Sequence, residues 1–336
     1  MNTVRGRKGS PLKIILIVIA VIVAFGLIVF AIDKAINGEE GDGGDSGKWG
    51  KEGKKELKIG KQKYEYEDQV KAYLIIGTDD TSKKGEGGDM ADLLVLAVTN
   101  KTQNAFGFIE IDRDTIVEVP VLEDGEEIGT FPEQICIAHW EGRNEDEHNN
   151  NTVKAVRKLL GGLDIHGYYT IKLRDIKAIN HAVGGVTVNI KENLTKLDPE
   201  FKKGATVLLD DKQAEKFVRA RQEVGNGTNK ERMARQREYM KQLYSMVIGQ
   251  LREEPEYLDE LHEQLKDRIE TDENMSETSR IANFLSNGES RGFLGIDGKT
   301  RIGDTIGDGK KYTEFYADKK SIAKTLKKLI DLKEVK

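Results

Sequence analysis

Asp79 closes the apolar run Leu74-Ile75-Ile76-Gly77-Thr78, and Asp92 opens a second, Leu93-Leu94-Val95-Leu96, across a glycine-rich stretch. Carboxylates so placed supply oxygens to a hard cation such as Mg²⁺, which takes one or two of them and completes its shell with phosphate. Two aspartates flanking a glycine-rich loop also fit an ordinary surface turn. Arg232, Arg235 and Gln236 are spaced i, i+3, i+4 and so share one helical face. They fall in the first two turns of a helix capped by Asn229, near the end that favours anions. Arg219 and Arg221 end the preceding helix and can reach the same place across Gly225-Asn226-Gly227. Arg113, in Ile111-Asp112-Arg113-Asp114-Thr115, is a further residue of this type, and the guanidinium fork suits phosphate oxygens. The competing reading of the helix is a solvated basic face paired with Glu231 and Glu238. Acids and arginines together point to work on a phosphorylated substrate.

These side chains need strands and helices to hold them. Residues 72–77 and 93–99 are short, apolar and bounded by turn residues, the pattern of buried strands. If the two are antiparallel neighbours, Asp79 and Asp92 meet at one sheet end. Further strands are expected at 105–111, 168–173 and 186–190, and helices at 152–160, 174–183, 211–220 and 229–251. The alternation implies an α/β fold, a central mixed sheet covered by helices on both faces, over 64–251. Residues 252–336 read as a C-terminal extension packed on that domain. Within it, Ile322, Leu326, Leu329 and Ile330 share one helical stripe.

The apolar run 14–32 is about 19 residues long, enough to cross a bilayer as one helix. Arg5, Arg7, Lys8 and Lys13 precede it, which places the 1–13 tail in the cytoplasm and the rest outside the cell membrane, a single-pass type II arrangement. Residues 33–63 begin with a glycine-rich charged segment and read as a flexible tether. One cysteine, Cys136, excludes an internal disulfide, and its apolar setting is that of a buried filler. A net charge of −5 argues against nucleic acid as a partner.

In this order the motifs resemble the LytR-CpsA-Psr family of bacterial envelope proteins. The resemblance is carried by Gly77-Thr78-Asp79, Asp92, Arg113-Asp114-Thr115, Gln134-Ile135-Cys136-Ile137-Ala138-His139, Val183-Gly184-Gly185-Val186-Thr187-Val188, Phe217-Val218-Arg219-Ala220-Arg221 and Arg232-Met233-Ala234-Arg235-Gln236. It covers about 73–251. It implies a phosphotransferase that moves a glycopolymer from a polyprenyl-phosphate carrier to peptidoglycan at the membrane. It further implies Mg²⁺ at Asp79 and Asp92, and pyrophosphate contacts from Arg113, Arg219, Arg221, Arg232 and Gln236. The chain departs from the family pattern at Met90-Ala91-Asp92, where Arg-Ser-Asp is commonest, and at Asn229, where an acid often stands. One expected guanidinium is therefore missing. The alternative is a non-catalytic module that captures polyprenyl-phosphate lipid or wall polymer.

Overall fold

The computed structural model describes residues 53–80, 88–221, 223–254, 257–273 and 288–335 except 306 and 308, together with 277, 280, 281 and 284. The expected tail at 1–13, the membrane helix at 14–32 and most of the tether lie outside these residues. Among the described residues no helix is long and apolar enough to cross a membrane.

The described residues open with an antiparallel hairpin, β1 (Lys54–Ile59) and β2 (Gln62–Glu67). β3 (Val70–Thr78), β4 (Ala91–Asn100) and β5 (Ala105–Ile111) follow, then a second hairpin of β6 (Ile116–Glu123) and β7 (Glu126–Gln134). A 3₁₀ turn at Ile135–His139 leads into α1 (Glu145–Leu159). Next come β8 (Gly167–Lys172), α2 (Ile176–Ala182), β9 (Val186–Asn189), β10 (Thr206–Leu209) and α3 (Asp211–Arg219). α4 (Asn229–Glu253) is the long helix, followed by α5 (Tyr257–Leu265) and β11 (Ile269–Thr271). β12 (Glu289–Gly295), β13 (Gly298–Gly303), β14 (Tyr312–Ala317), α6 (Lys319–Ile330) and β15 (Lys333–Val335) complete it.

The architecture is mixed α/β. Its main sheet has six strands in the order β11-β8-β3-β4-β5-β12. β3 runs antiparallel to β4 and parallel to β8, while β12 runs parallel to β5. Every residue of β3 is buried, which is why its sequence is a near-continuous apolar run. Period-two alternation divides that run between two cores. Leu74, Ile76, Leu94 and Leu96 pack with Ala155 and Val156 of α1 and with Ile322, Leu326, Leu329 and Ile330 of α6. Tyr73, Ile75, Val95, Phe106 and Phe108 lie on the opposite side with Ile281, and Met240 of α4 packs against them. A third core joins α2, α3, α4 and α5 to the β9–β10 hairpin.

Two expected boundaries are corrected. The tether does not extend to 63, because β1 and β2 are paired and bury Leu57, Ile59, Tyr64 and Tyr66. Their apolar residues alternate with lysine and glutamate, so the strands read as a solvated charge run although one face is core. The C-terminal residues are more than an extension laid on the domain. β12 is a strand of the main sheet, and β15 pairs with β2.

Candidate functional site

The site is built where β3 and β4 end together. Gly77 pairs with Leu93 and Thr78 with Ala91, so Asp92 is an extra residue bulged out of the ladder. Such a bulge re-aims a side chain at a sheet rim. The Asp79 N–H donates to the Met90 carbonyl at 3.1 Å, and the Met90 N–H donates to Asp79 Oδ1 at 3.0 Å. The two aspartates are thus tied to the same sheet end, the arrangement expected of antiparallel neighbours.

Asp92 is gripped from both sides. Arg113, just beyond β5, donates through Nη1 to Oδ1, and Arg232, in the first turn of α4, donates through Nη1 to Oδ2. Arg232 also reaches the Asp92 carbonyl at 3.3 Å. Arg221 donates to Asp114 Oδ2 at 2.6 Å, and Arg219 reaches the Asp79 carbonyl at 3.1 Å and Glu215 at 2.7 Å. Asp79, Asp92, Arg113, Arg219, Arg221 and Arg232 are therefore brought together from β3, β4, the turn after β5, the end of α3 and the start of α4.

Several buried donors of this cluster remain unused. The Nε–H groups of Arg113, Arg221 and Arg232 are buried without a hydrogen-bond acceptor. Such groups normally find a partner, and a missing one asks for an explanation. Burial, then the charges of Arg113 and Arg221, push the pKa of Arg232 down. An incoming phosphate would supply both acceptors and countercharge.

Arg235 and Gln236 are placed elsewhere. Arg235 donates to the Phe217 carbonyl at 3.1 Å, to the Ala220 carbonyl and to Glu192 at 2.6 Å, while Gln236 donates to the Val218 carbonyl at 3.3 Å. Three residues along a helix are about 60° apart around the axis and roughly 4.5 Å apart along it. That offset turns Arg235 from the sheet end toward the last carbonyls of α3. Both residues clamp the segment that carries Arg219 and Arg221, and neither joins the cluster.

A match to the LytR-CpsA-Psr family model extends over residues 44–331. The chain belongs to the LytR-CpsA-Psr family. It is 27% identical over 166 residues to the polyisoprenyl-teichoic acid–peptidoglycan teichoic acid transferase TagU of Oceanobacillus iheyensis, covering 49% of this chain and 48% of that protein. The alignment thus spans about half the length of the relative. Among solved structures, Lin1025 of Listeria innocua superposes with a TM-score of 0.53 at 25% identity, covering 78% of this chain and 99% of that one. TagV of B. subtilis superposes with a TM-score of 0.57 at 20% identity over 78% and 96%.

Where the LytR-CpsA-Psr pattern most often has arginine, Met90 lays its sulfur 3.3 Å from Arg113 Nη2. The same nitrogen donates to Cys136 Sγ at 2.9 Å. Cys136 is fully buried, and burial pushes its thiol pKa up, so it serves as packing and as a neutral acceptor. Three participants escaped the sequence reading of the site. Asp114 holds Arg221, Asn229 reaches both Asp112 and Arg232, and His139 Nδ1 lies 2.8 Å from the Asp89 carbonyl beside Met90. Two acids flanking Arg113 at a strand end were one available signal, and the departure at Asn229 and the motif ending in His139 were others.

Gly88 leads the chain into this strand end, its N–H donating to the Trp140 carbonyl at 3.0 Å. A methyl there would overlap the His139 carbonyl oxygen and crowd the His148 ring. Gly88→Ala should therefore destabilise the protein by roughly 1–3 kcal/mol. The thermal midpoint should fall by about 2–4 °C for each of these. An unchanged midpoint in a melting experiment would show that the backbone yields freely here.

Proposed function

We propose that this chain is a membrane-anchored, Mg²⁺-dependent phosphotransferase that moves a glycopolymer from a polyprenyl-phosphate carrier to peptidoglycan. The observation that carries the reading is the gathering of Arg113 and Arg232 on Asp92, Arg219 on the Asp79 carbonyl and Arg221 on Asp114, with three buried Nε–H groups lacking acceptors. The family and the transferase TagU among its relatives support the reaction class. The apolar run 14–32 with its basic flank supports the anchor.

The residues present fit the cation. Asp79 and Asp92 would hold it, with the remaining oxygens coming from the substrate pyrophosphate. Among the described residues no group of three or more His, Cys, Asp or Glu could do so alone. Mg²⁺ there supplies neutralisation of pyrophosphate charge. Arg113 and Arg232 now donate to the two oxygens of Asp92, so a cation would share or compete for these oxygens with both guanidinium groups. Phosphoryl transfer asks little of the protein beyond positioning and neutralising charge. An acceptor sugar hydroxyl forms a bond to the polymer-linked phosphorus. The bond from that phosphorus to the bridging oxygen breaks, polyprenyl phosphate departs, and the hydroxyl proton passes to the medium. Arg113, Arg219, Arg221 and Arg232 hold the phosphate oxygens throughout.

Full-length protein in liposomes, given a polyprenyl-pyrophosphate-linked glycopolymer and peptidoglycan, should release polyprenyl phosphate and label the acceptor. EDTA should stop the reaction and Mg²⁺ should restore it. Lipid capture without transfer would identify a binding module instead, while transfer in EDTA would overturn the cation assignment alone.

A further inference from the structure

Asn229 is the first residue of α4, and it is 4% exposed. Its amide faces two charged groups of opposite sign. Nδ2 donates to Asp112 Oδ1 at 2.6 Å, and Oδ1 accepts from Arg232 Nη2 at 2.7 Å. Asp112 in turn organises the turn that carries Arg113. Its Oδ1 accepts from the Asp114 N–H at 3.0 Å, and its carbonyl accepts from the Thr115 N–H at 3.0 Å. One amide therefore joins the Arg113 turn to the Arg232 fork, whose other nitrogen grips Asp92.

Only a neutral side chain with both a donor and an acceptor can complete this connection. An ionised carboxylate has no hydrogen to give and would set oxygen against oxygen at Asp112. An aliphatic side chain would leave the Arg232 fork and the buried Asp112 carboxylate each short of a partner. The amide thus matches the charge already present at Asp112.

We infer that Asn229 is a positioning residue, bridging Asp112 and Arg232 so that Arg113 and Arg232 meet the same phosphate group. This rests on the phosphate site proposed above. The two arginines come from segments far apart in the chain, and the bridge fixes their spacing before substrate arrives, which lowers the ordering cost of binding.

Calorimetric titration with inorganic pyrophosphate and Mg²⁺ tests the bridge without requiring turnover. Asn229→Leu, close in shape and uncharged, should weaken pyrophosphate binding about tenfold. Asn229→Asp should do the same. Adding Asp112→Asn to Asn229→Asp should recover most of the loss, because the amide and the carboxylate then exchange places. Thermal melts would verify that each protein is folded. Wild-type affinity in Asn229→Leu would overturn the bridge, since a mere balance of charge would then suffice. A double variant no better than Asn229→Asp would also overturn it. If wild type itself binds no pyrophosphate, the phosphate site falls and the bridge falls with it. If wild type binds and the rescue fails, only the bridge is wrong.

Discussion

Asp92→Asn is expected to lower transfer by about 10²–10³-fold, the scale of losing one preorganised charge interaction at a reacting centre. The reason is that Asp92 has two employments. Its oxygens hold Arg113 and Arg232 before substrate binds, and they are half of the proposed cation site afterwards. Asparagine keeps one acceptor oxygen and turns an NH₂ group against the other guanidinium, donor facing donor. Arg113 and Arg232 are then less firmly held, and the cation loses an anionic ligand. Two calorimetric titrations with inorganic pyrophosphate separate these effects. Without Mg²⁺, the variant should bind at least as tightly as wild type, because the carboxylate that competes with pyrophosphate for Arg113 and Arg232 is gone. With Mg²⁺, the increment seen in wild type should vanish. Full transfer activity in Asp92→Asn would sink the assignment. So would a Mg²⁺ increment of wild-type size.

Arg235→Ala should act on the fold rather than on the chemistry. Arg235 is 5% exposed and holds the Phe217 carbonyl, the Ala220 carbonyl and Glu192. Removing it leaves Glu192 without that counterion and strips two carbonyls of their donor. Leaving two buried carbonyls without their donor costs about 1–3 kcal/mol each, and loss of the part-buried pair with Glu192 adds to it. The thermal midpoint should fall by on the order of 10 °C. Arg232→Ala makes the contrast. It should cut turnover about tenfold or more, the effect of losing roughly 1.4 kcal/mol of transition-state stabilisation. Its melting midpoint should fall less than that of Arg235→Ala. The reverse ranking in stability and turnover would mean that the two arginines have been given each other's roles.

The sheet end was legible because β3 and β4 are buried on both faces, and burial writes long apolar runs that stop where the chain turns. Asp79 and Asp92 sit at those stops. The arginine face of α4 was legible only in part. Spacing of three and four residues places side chains on one side of a helix, but it does not resolve an offset of about 60°. That offset separates a phosphate ligand from a helix clamp. The partners of Arg221 and Asn229 were hidden by distance in sequence. Asp114 lies 107 residues from Arg221, and Asp112 lies 117 residues from Asn229. The β6–β7 hairpin was missed because most of β7 is exposed and carries little apolar alternation. β1 and β2 were missed because lysine and glutamate fill their outer face, a common way of protecting a sheet edge.

The parallel pairing of β12 with β5 has a consequence for how the protein is made. Ala105–Ile111 is buried throughout and apolar except at Glu110, yet its outer neighbour is encoded ~180 residues later. At about 5–20 residues per second, synthesis leaves that neighbour missing for roughly 10–40 s. During this interval Phe106, Phe108 and Ile109 lie along an unpaired strand edge, a template on which a second nascent chain can pair. β15, still later in the sequence, pairs with β2 of the β1–β2 hairpin. Until β12 arrives, the β5 edge therefore stays open to pairing with another chain.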